Sequence, residues 1–323
     1  MSLPELLKNR LSLPVIGSPL FIVSNPDLVI AQCKAGIVGA FPALNARPAA
    51  ELENWLQRID EALSQHAAEH PGSRVAPYAV NQIIHASNDR LRQDLEACGR
   101  HRVPIIITSL RAPDEVVPVV HGWGGLVFHD VISVRHAKRA IDAGVDGLIL
   151  VCAGAGGHAG GLSPFALVSE VRRFYAGTII LSGAITRGEH VLAAQAMGAD
   201  LAYIGTRFIA TPEAHADIAY KQMIVDSTAS DIVYTNLFTG VLGNYLRGSI
   251  VNAGLDPENL PSADKSTMSF GSGGSSRSKA WRDIWGAGQG VGNIDAVRPV
   301  AEVVATMRAD YDAARARLLA ASG

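Results

Sequence analysis

The sequence predicts an α/β fold: a closed parallel (β/α)8 barrel, the TIM-barrel architecture, carrying a smaller helical appendage. Three observations point there. Eight short apolar runs recur up to residue 204, most of them rich in Val and Ile and too continuous for strands with one wet face. Amphipathic stretches alternate with these runs, and several close on a glycine just past the helix: Ala35-Gly36, Cys98-Gly99, Ala143-Gly144 and Met197-Gly198. The phrase of helix end, glycine, turn and strand also repeats, as AGVDGLIL and MGADLAYI. Eight strand–helix units favour a closed barrel over an open doubly wound sheet, the alternative that pattern reading leaves.

Taken in order, the strand runs are 14–16, 37–41, 75–80, 104–108, 125–128, 147–151, 178–181 and 201–204. Asn25-Pro26 opens the first helix, with Pro26 in the first turn, where its missing N–H costs nothing. Further helical spacing covers 47–65, 88–98, 134–143, 165–175 and 188–197. After Thr211 the rhythm changes. Residues 212–223 look helical, 227–252 are less regular, 262–278 (with GSGGSSRS) read as a mobile loop, and 297–319 return to an amphipathic helix. Residues 1–210 and 281–323 are therefore expected to form the barrel with a closing C-terminal helix, and 211–280 the appendage.

Charge narrows the partners. The 28 Lys and Arg against 30 Asp and Glu leave a net charge of −2, which gives no field for nucleic acid or an anionic membrane. A small-molecule partner is expected instead. Cys33, Cys98 and Cys152 form no CxxC pair, so neither a disulfide framework nor a metal site is expected, and a reducing cytoplasm fits. The opening MSLPELLKNRLSLP has no long apolar run and does not read as a signal peptide. No run of about 18 apolar residues suggests a membrane span.

In a barrel the chemistry sits on loops that follow the strands. After the seventh and eighth runs come Ser182-Gly183-Ala184 and Gly205-Thr206, small residues whose backbone N–H groups can form a nest for a phosphate. After the sixth run comes a loop of Gly and Ala around one imidazole, Gly156-Gly157-His158. So slim a loop lets the backbone approach a flat ligand, and His158 can donate a hydrogen bond or act as a base there. An incidental surface histidine is the plainer reading. Asn81 ends the third run and either reaches a ligand or caps a turn; His129-Asp130 ends the fifth and stands where it could line the mouth. Cys152 reads as a small buried hydrophobe rather than a nucleophile. Gln289, within the glycine-rich stretch 285–292, is a polar contact only if that loop folds over the mouth.

The segments GSPLF at 17–21, AGAGGHAGG at 153–161, LSGAITRG at 181–188, MGADLAYIGTRFIAT at 197–211 and WGAGQGVG at 285–292 together resemble the nitronate monooxygenase (2-nitropropane dioxygenase) family. The resemblance covers most of the chain. It implies noncovalent FMN and no metal, with Pro19, Leu20, Phe21 and Asn81 beside the isoalloxazine, and Gly156 and Gly157 approaching it. Ser182, Gly183, Ala184, Gly205 and Thr206 would hold the phosphate, Gln289 would lie near the cofactor, and His158 would be the catalytic histidine. The sequence departs from the family at Asp130, where some members carry Lys, and across 235–249.

The function expected from this resemblance is FMN-dependent oxidation of alkyl nitronates by molecular oxygen. His158 would hydrogen-bond the nitronate or remove the α-proton of a neutral nitroalkane. The alternative is an NAD(P)H-dependent flavin reductase acting on quinones or an enoyl thioester. A third reading, from another class, is a non-catalytic binder of a phosphate ligand. The partners expected are a small-molecule substrate and oxygen, without nucleic acid or membrane; a homodimer is left open.

Overall fold

The computed structural model describes residues 3–263 and 283–321. Its strands are β1 (Val15–Gly17), β2 (Gly39–Pro42), β3 (Tyr78–Ile84), β4 (Ile105–Leu110), β5 (Leu126–Val131), β6 (Gly147–Val151), β7 (Gly157–His158), β8 (Thr178–Ser182) and β9 (Leu201–Ile204). All but β7 join one parallel sheet in the order β1-β9-β8-β6-β5-β4-β3-β2. A parallel bridge from Ile16 to Val38 links its two ends. Gly17 N–H donates to Val38 O at 2.7 Å and Val38 N–H to Val15 O at 3.1 Å, so the ring is closed. This is the (β/α)8 barrel that the eight apolar runs predict.

The strands are apolar throughout because both faces are dry. Ile105 and Ile107 point inward, with Ile16, Val38, Ala79, Phe128, Ile149 and Ile180, while Ile106 points outward among the helices. Each fully buried Ile or Leu contributes about 1.5–3 kcal/mol of transfer free energy. Such alternation also decides what reaches the barrel mouth, since neighbours on a strand face opposite ways.

The surrounding helices are α1 (Pro26–Lys34), α2 (Glu51–Glu69), α3 (Leu91–Arg100), α4 (Val117–Gly122), α5 (Val134–Asp142), α6 (Pro164–Arg172) and α7 (Gly188–Met197). α1 starts as the sequence suggests: Asn25 Oδ1 accepts from Leu28 N–H at 2.9 Å and Pro26 follows the cap. α2 begins at Glu51 rather than residue 47, because Arg47 precedes Pro48 and is steered away from helical backbone. α4 is only six residues long, too short to show a helical period. The C-terminal helix Val300–Ala320 packs against α7 and α1.

Beyond the short helix α8 (Thr206–Ile209), the appendage holds α9 (Ile218–Asp226), β10 (Ile232–Thr235), β11 (Gly243–Leu246) and α10 (Arg247–Asn252). The segment expected to be helical therefore also contains an antiparallel hairpin. β10 pairs with β11, and β11 pairs with β7, with Gly243 opposite His158. A small core of Tyr245, Ile250 and Ile284 sits beneath it. The Ser/Gly-rich stretch predicted as a mobile loop lies, from residue 264, outside the described residues. No described helix is long and apolar enough to cross a membrane. All three cysteines are buried thiols, as Cys152 was expected to be.

Candidate active site

The carboxyl ends of the barrel strands and the loops after them enclose a cavity of about 1170 Å³. Mouth-facing residues come from several strands: Asn81 and Ile83 of β3, which runs past Asn81 to Ile84, Ser109 of β4, Asp130 of β5 and Ser182 of β8. The volume exceeds the ~300–1,000 Å³ usual for one small ligand, which leaves room for a cofactor and a substrate together.

One wall is the loop after β1, which brings Pro19, Leu20 and Phe21 to the cavity. Asn45 ties this loop down, donating from Nδ2 to Leu20 O at 2.9 Å and Ser24 O at 2.8 Å, and accepting from Ile22 N–H at 2.9 Å. Arg47 stands 5.5 Å over the Phe21 ring and shares the cavity wall.

The adjoining wall joins the loops after β8 and β9. Gly183 (φ +145°) and Ala184 (φ +54°) turn the chain sharply off the strand end. Two residues on, the hydroxyl of Thr186 is buried with no partner among the described residues, although the residue lines the cavity. An orphaned buried donor is costly unless a ligand meets it. Gly205 lies so near Ser18 and Leu20 that a Cβ there would stand 2.5 Å from Ser18 Oγ. Thr206 uses its hydroxyl to accept from Gly288 N–H at 2.9 Å. That bond, with Gln289 N–H to Gly154 O at 2.9 Å, fastens the glycine-rich stretch 285–292 over the site.

A third wall carries the histidine. His158 lies in β7, within a loop held by Asn244, whose Nδ2 donates to Ala155 O at 2.6 Å. The imidazole Nε2 lies 2.8 Å from Thr239 Oγ1, on the β10–β11 connection. Burial pushes its pKa down to about 4, so the ring is neutral at physiological pH.

The fourth feature is a directed chain of hydrogen bonds. Asn81 Nδ2 donates to Ser109 Oγ at 2.9 Å, and Ser109 Oγ donates to Asp130 Oδ2 at 2.6 Å. The other oxygen, Oδ1, is buried without a partner among the described residues. Burial outweighs the Ser109 bond and pushes the Asp130 carboxyl up to about 7. His129, one residue earlier, points away: its Nδ1 meets Thr108 Oγ1 at 2.8 Å and it is 3% exposed. Of the pair expected to line the mouth, only Asp130 does so.

The structure thus brings Pro19, Leu20, Phe21, Asn81, Gly156, Gly157, His158, Ser182, Gly183, Ala184, Gly205 and Thr206 to one cavity. Gln289 stands apart. Its loop does fold over the site, and Gly288 and Gly290 line the cavity, but the exposed Gln289 side chain rests against Gly154 outside that lining. The walls also carry polar residues that the sequence alone does not mark, among them Ser18, Arg47, Ser109, Thr186 and Thr239. Ser18 and Thr186 lie within the GSPLF and LSGAITRG segments. Ser109 and Thr239 carry no local signal, because partners 21 to 81 residues away give them their roles.

A closed barrel with a cavity at its carboxyl face, lined by a neutral histidine and by small residues at two adjacent strand ends, has the layout of a barrel enzyme. The nitronate monooxygenase family model matches residues 6–310, and the chain belongs to that family. It is 26% identical over 279 residues to a nitronate monooxygenase of Paraburkholderia phytofirmans, covering 76% of each protein. It is 24% identical over 240 residues to (3aS,4S,5R,7aS)-5-hydroxy-7a-methyl-1-oxo-octahydro-1H-indene-4-carboxyl-CoA dehydrogenase of Rhodococcus jostii, covering 74% of this chain and 64% of that one. Across the first three curated relatives, the chain spans 56% to 76% of their length. Its fold matches a nitroalkane oxidase structure from Streptomyces ansochromogenes with a TM-score of 0.81, at 22% identity, over 97% of this chain and 100% of that one.

Proposed function

We propose that the protein binds FMN at the barrel mouth and oxidises alkyl nitronates with molecular oxygen. The observation that carries this reading is one cavity uniting the Gly183-Ala184 and Gly205-Thr206 wall with His158. The residues fit the cofactor. Backbone N–H groups at two adjacent strand ends and the orphaned Thr186 hydroxyl suit a phosphate, while Pro19, Leu20, Asn81, Gly156 and Gly157 would border a flat ring system. When bound, FMN supplies the electron transfer and the reaction with oxygen.

The chain's own residues bind, orient and handle protons. The largely apolar walls keep water from the substrate, which strengthens every polar contact inside. His158, neutral and half-buried, stands where it can hydrogen-bond the substrate or take its α-proton. The relatives named nitronate monooxygenase support the choice of substrate class.

The second reading is an NAD(P)H-dependent flavin reductase acting on a quinone or an enoyl thioester. The relationship to a carboxyl-CoA dehydrogenase and the size of the cavity favour it over a non-catalytic phosphate binder.

The cofactor assignment has its own test. Gly205→Val places a branched side chain where even a Cβ meets Ser18 Oγ, and its bulk fills the wall beside Thr206. The variant is expected to lose FMN affinity by roughly 100-fold or more while keeping its far-ultraviolet dichroism, since a loop glycine at the mouth is displaced rather than the barrel core. Fluorescence titration of FMN into stripped protein measures this; equal affinity in both proteins would move the phosphate elsewhere.

A further inference from the structure

Arg47 follows β2 and lines the cavity. Its Nε donates to Leu44 O at 3.0 Å and its guanidinium sits 5.5 Å over the Phe21 ring, so the head group is held in place. Among the described residues no carboxylate pairs with it, and its two terminal nitrogens have no hydrogen-bond partner. A guanidinium planted on a ring in a cavity wall, with its outer fork unused, is built to take a carboxylate or phosphate.

The strand order decides what faces it. Three strands separate β2 from β6 either way round the closed ring: β1, β9 and β8 on one arc, β5, β4 and β3 on the other. Arg47, after β2, therefore stands across the mouth from His158, in the loop after β6. Eight strands about 4.8 Å apart and tilted about 36° close into a ring roughly 15 Å across. The first arc carries Gly183, Ala184 and Gly205, proposed above to hold the FMN phosphate. The second carries Ile83, Leu110 and Ile132, all on the cavity wall. Leu110 and Ile132 are 38% and 40% exposed, and Leu110 is held at φ +81°, a backbone that a bulky side chain rarely adopts. Apolar side chains kept exposed along one arc, one of them under strain, form a track for an apolar chain.

We propose that the substrate of this site is an amphiphilic anion. Its reactive end lies at His158, its apolar chain runs along Ile132, Leu110 and Ile83, and its terminal carboxylate or phosphate sits on Arg47. This rests on the nitronate reading and names the substrate class: a nitro compound whose anionic group is several methylenes from the nitro carbon fits the span, and a two-carbon spacer does not. Of the carboxylates that line the cavity, Asp217 and Asp283 come from the chain after β9. Asp130 belongs to the apolar arc, and burial pushes its carboxyl up to about 7, so it repels an anion little.

The test is calorimetric titration of the FMN-loaded protein with four unreactive probes: octanoate, octyl phosphate, octan-1-ol and propionate. At least one eight-carbon anion is expected to bind about tenfold or more tighter than octanol, the usual worth of a hydrogen bond to a charged group, and tighter still relative to propionate. The tighter anion tells whether the natural group is a carboxylate or a phosphate. Arg47→Met, which keeps a chain over Phe21 and removes the charge, is expected to abolish the preference for anions while octanol binding and FMN affinity stay as in wild type. Leu110→Gly, which suits the backbone there, is expected to weaken all three eight-carbon probes several-fold. Octanol that binds as well as both anions overturns the proposal, as do anions that keep their advantage in Arg47→Met, propionate that matches octanoate, a Leu110→Gly protein with unchanged affinities, or FMN affinity lost with the arginine. If the anions bind through Arg47 but no nitronate is turned over, the amphiphilic subsite stands and the nitronate reading fails.

Discussion

Replacing His158 by alanine is expected to leave FMN bound and to cut turnover of a neutral nitroalkane, whose α-proton must be removed, by about 10²–10⁴-fold, the usual share of a positioned acid–base group. The argument is geometric. The His158 loop is held from several sides without help from the imidazole, by Asn244 Nδ2 to Ala155 O and by Ala159 N–H to Leu242 O at 3.2 Å. Gly183, Ala184, Thr186 and Gly205, proposed to hold the FMN phosphate, belong to other loops. Truncating the ring thus removes a proton acceptor without dismantling the cavity. Steady-state kinetics and the visible flavin spectrum of the variant check both halves; unchanged turnover would remove His158 from the chemistry.

The second large effect concerns Asp130. Its carboxyl is buried, and its pKa rises from the ordinary 3.8 to about 7. Between those values the folded protein keeps a proton that the unfolded chain has released. Stability from this group is therefore full below about pH 4 and falls as pH rises towards 7. At 1.36 kcal/mol per pH unit, the loss amounts to about 4 kcal/mol at most. Asp130→Asn cannot ionise and still accepts the Ser109 hydrogen bond through its amide oxygen. The stability difference between variant and wild type is expected to shift in the variant's favour by a few kcal/mol between pH 5 and pH 8. Urea unfolding of both flavin-free proteins at the two pH values measures it. Comparing differences cancels the groups that do not interact with Asp130, and the nearby Tyr203 phenol, which burial and Asp130 push well up, does not titrate in this range. Parallel pH profiles would show that Asp130 is ionised in the fold.

The barrel was legible because its physics is repetitive. Strands dry on both faces need unbroken apolar runs such as 147–151, and helices returning to the sheet need stop signals such as Gly198, which does adopt a left-handed backbone at φ +109°. The mouth was legible for a related reason: the loops after successive strands converge, so SGA, GT and the His158 loop share a cavity although they are distant in sequence. What could not be read depends on pairing rather than pattern. β7 is two residues long and exists only because β11 lies beside it. Likewise, the choice between His129 and Asp130 for the mouth needs the strand's facing, which a two-residue motif does not state. The Gln289 loop follows the same rule, since backbone bonds close it over the site and leave the Gln289 side chain beside Gly154.

The central claim, a flavin site that accepts electrons from a nitronate, is tested most directly by an anaerobic visible-spectrum titration of the FMN-loaded protein. One sample receives an alkyl nitronate and a matched one NAD(P)H. The account predicts that the flavin bands change with nitronate alone. Bands untouched by nitronate and bleached only by NAD(P)H would contradict it and establish the reductase instead.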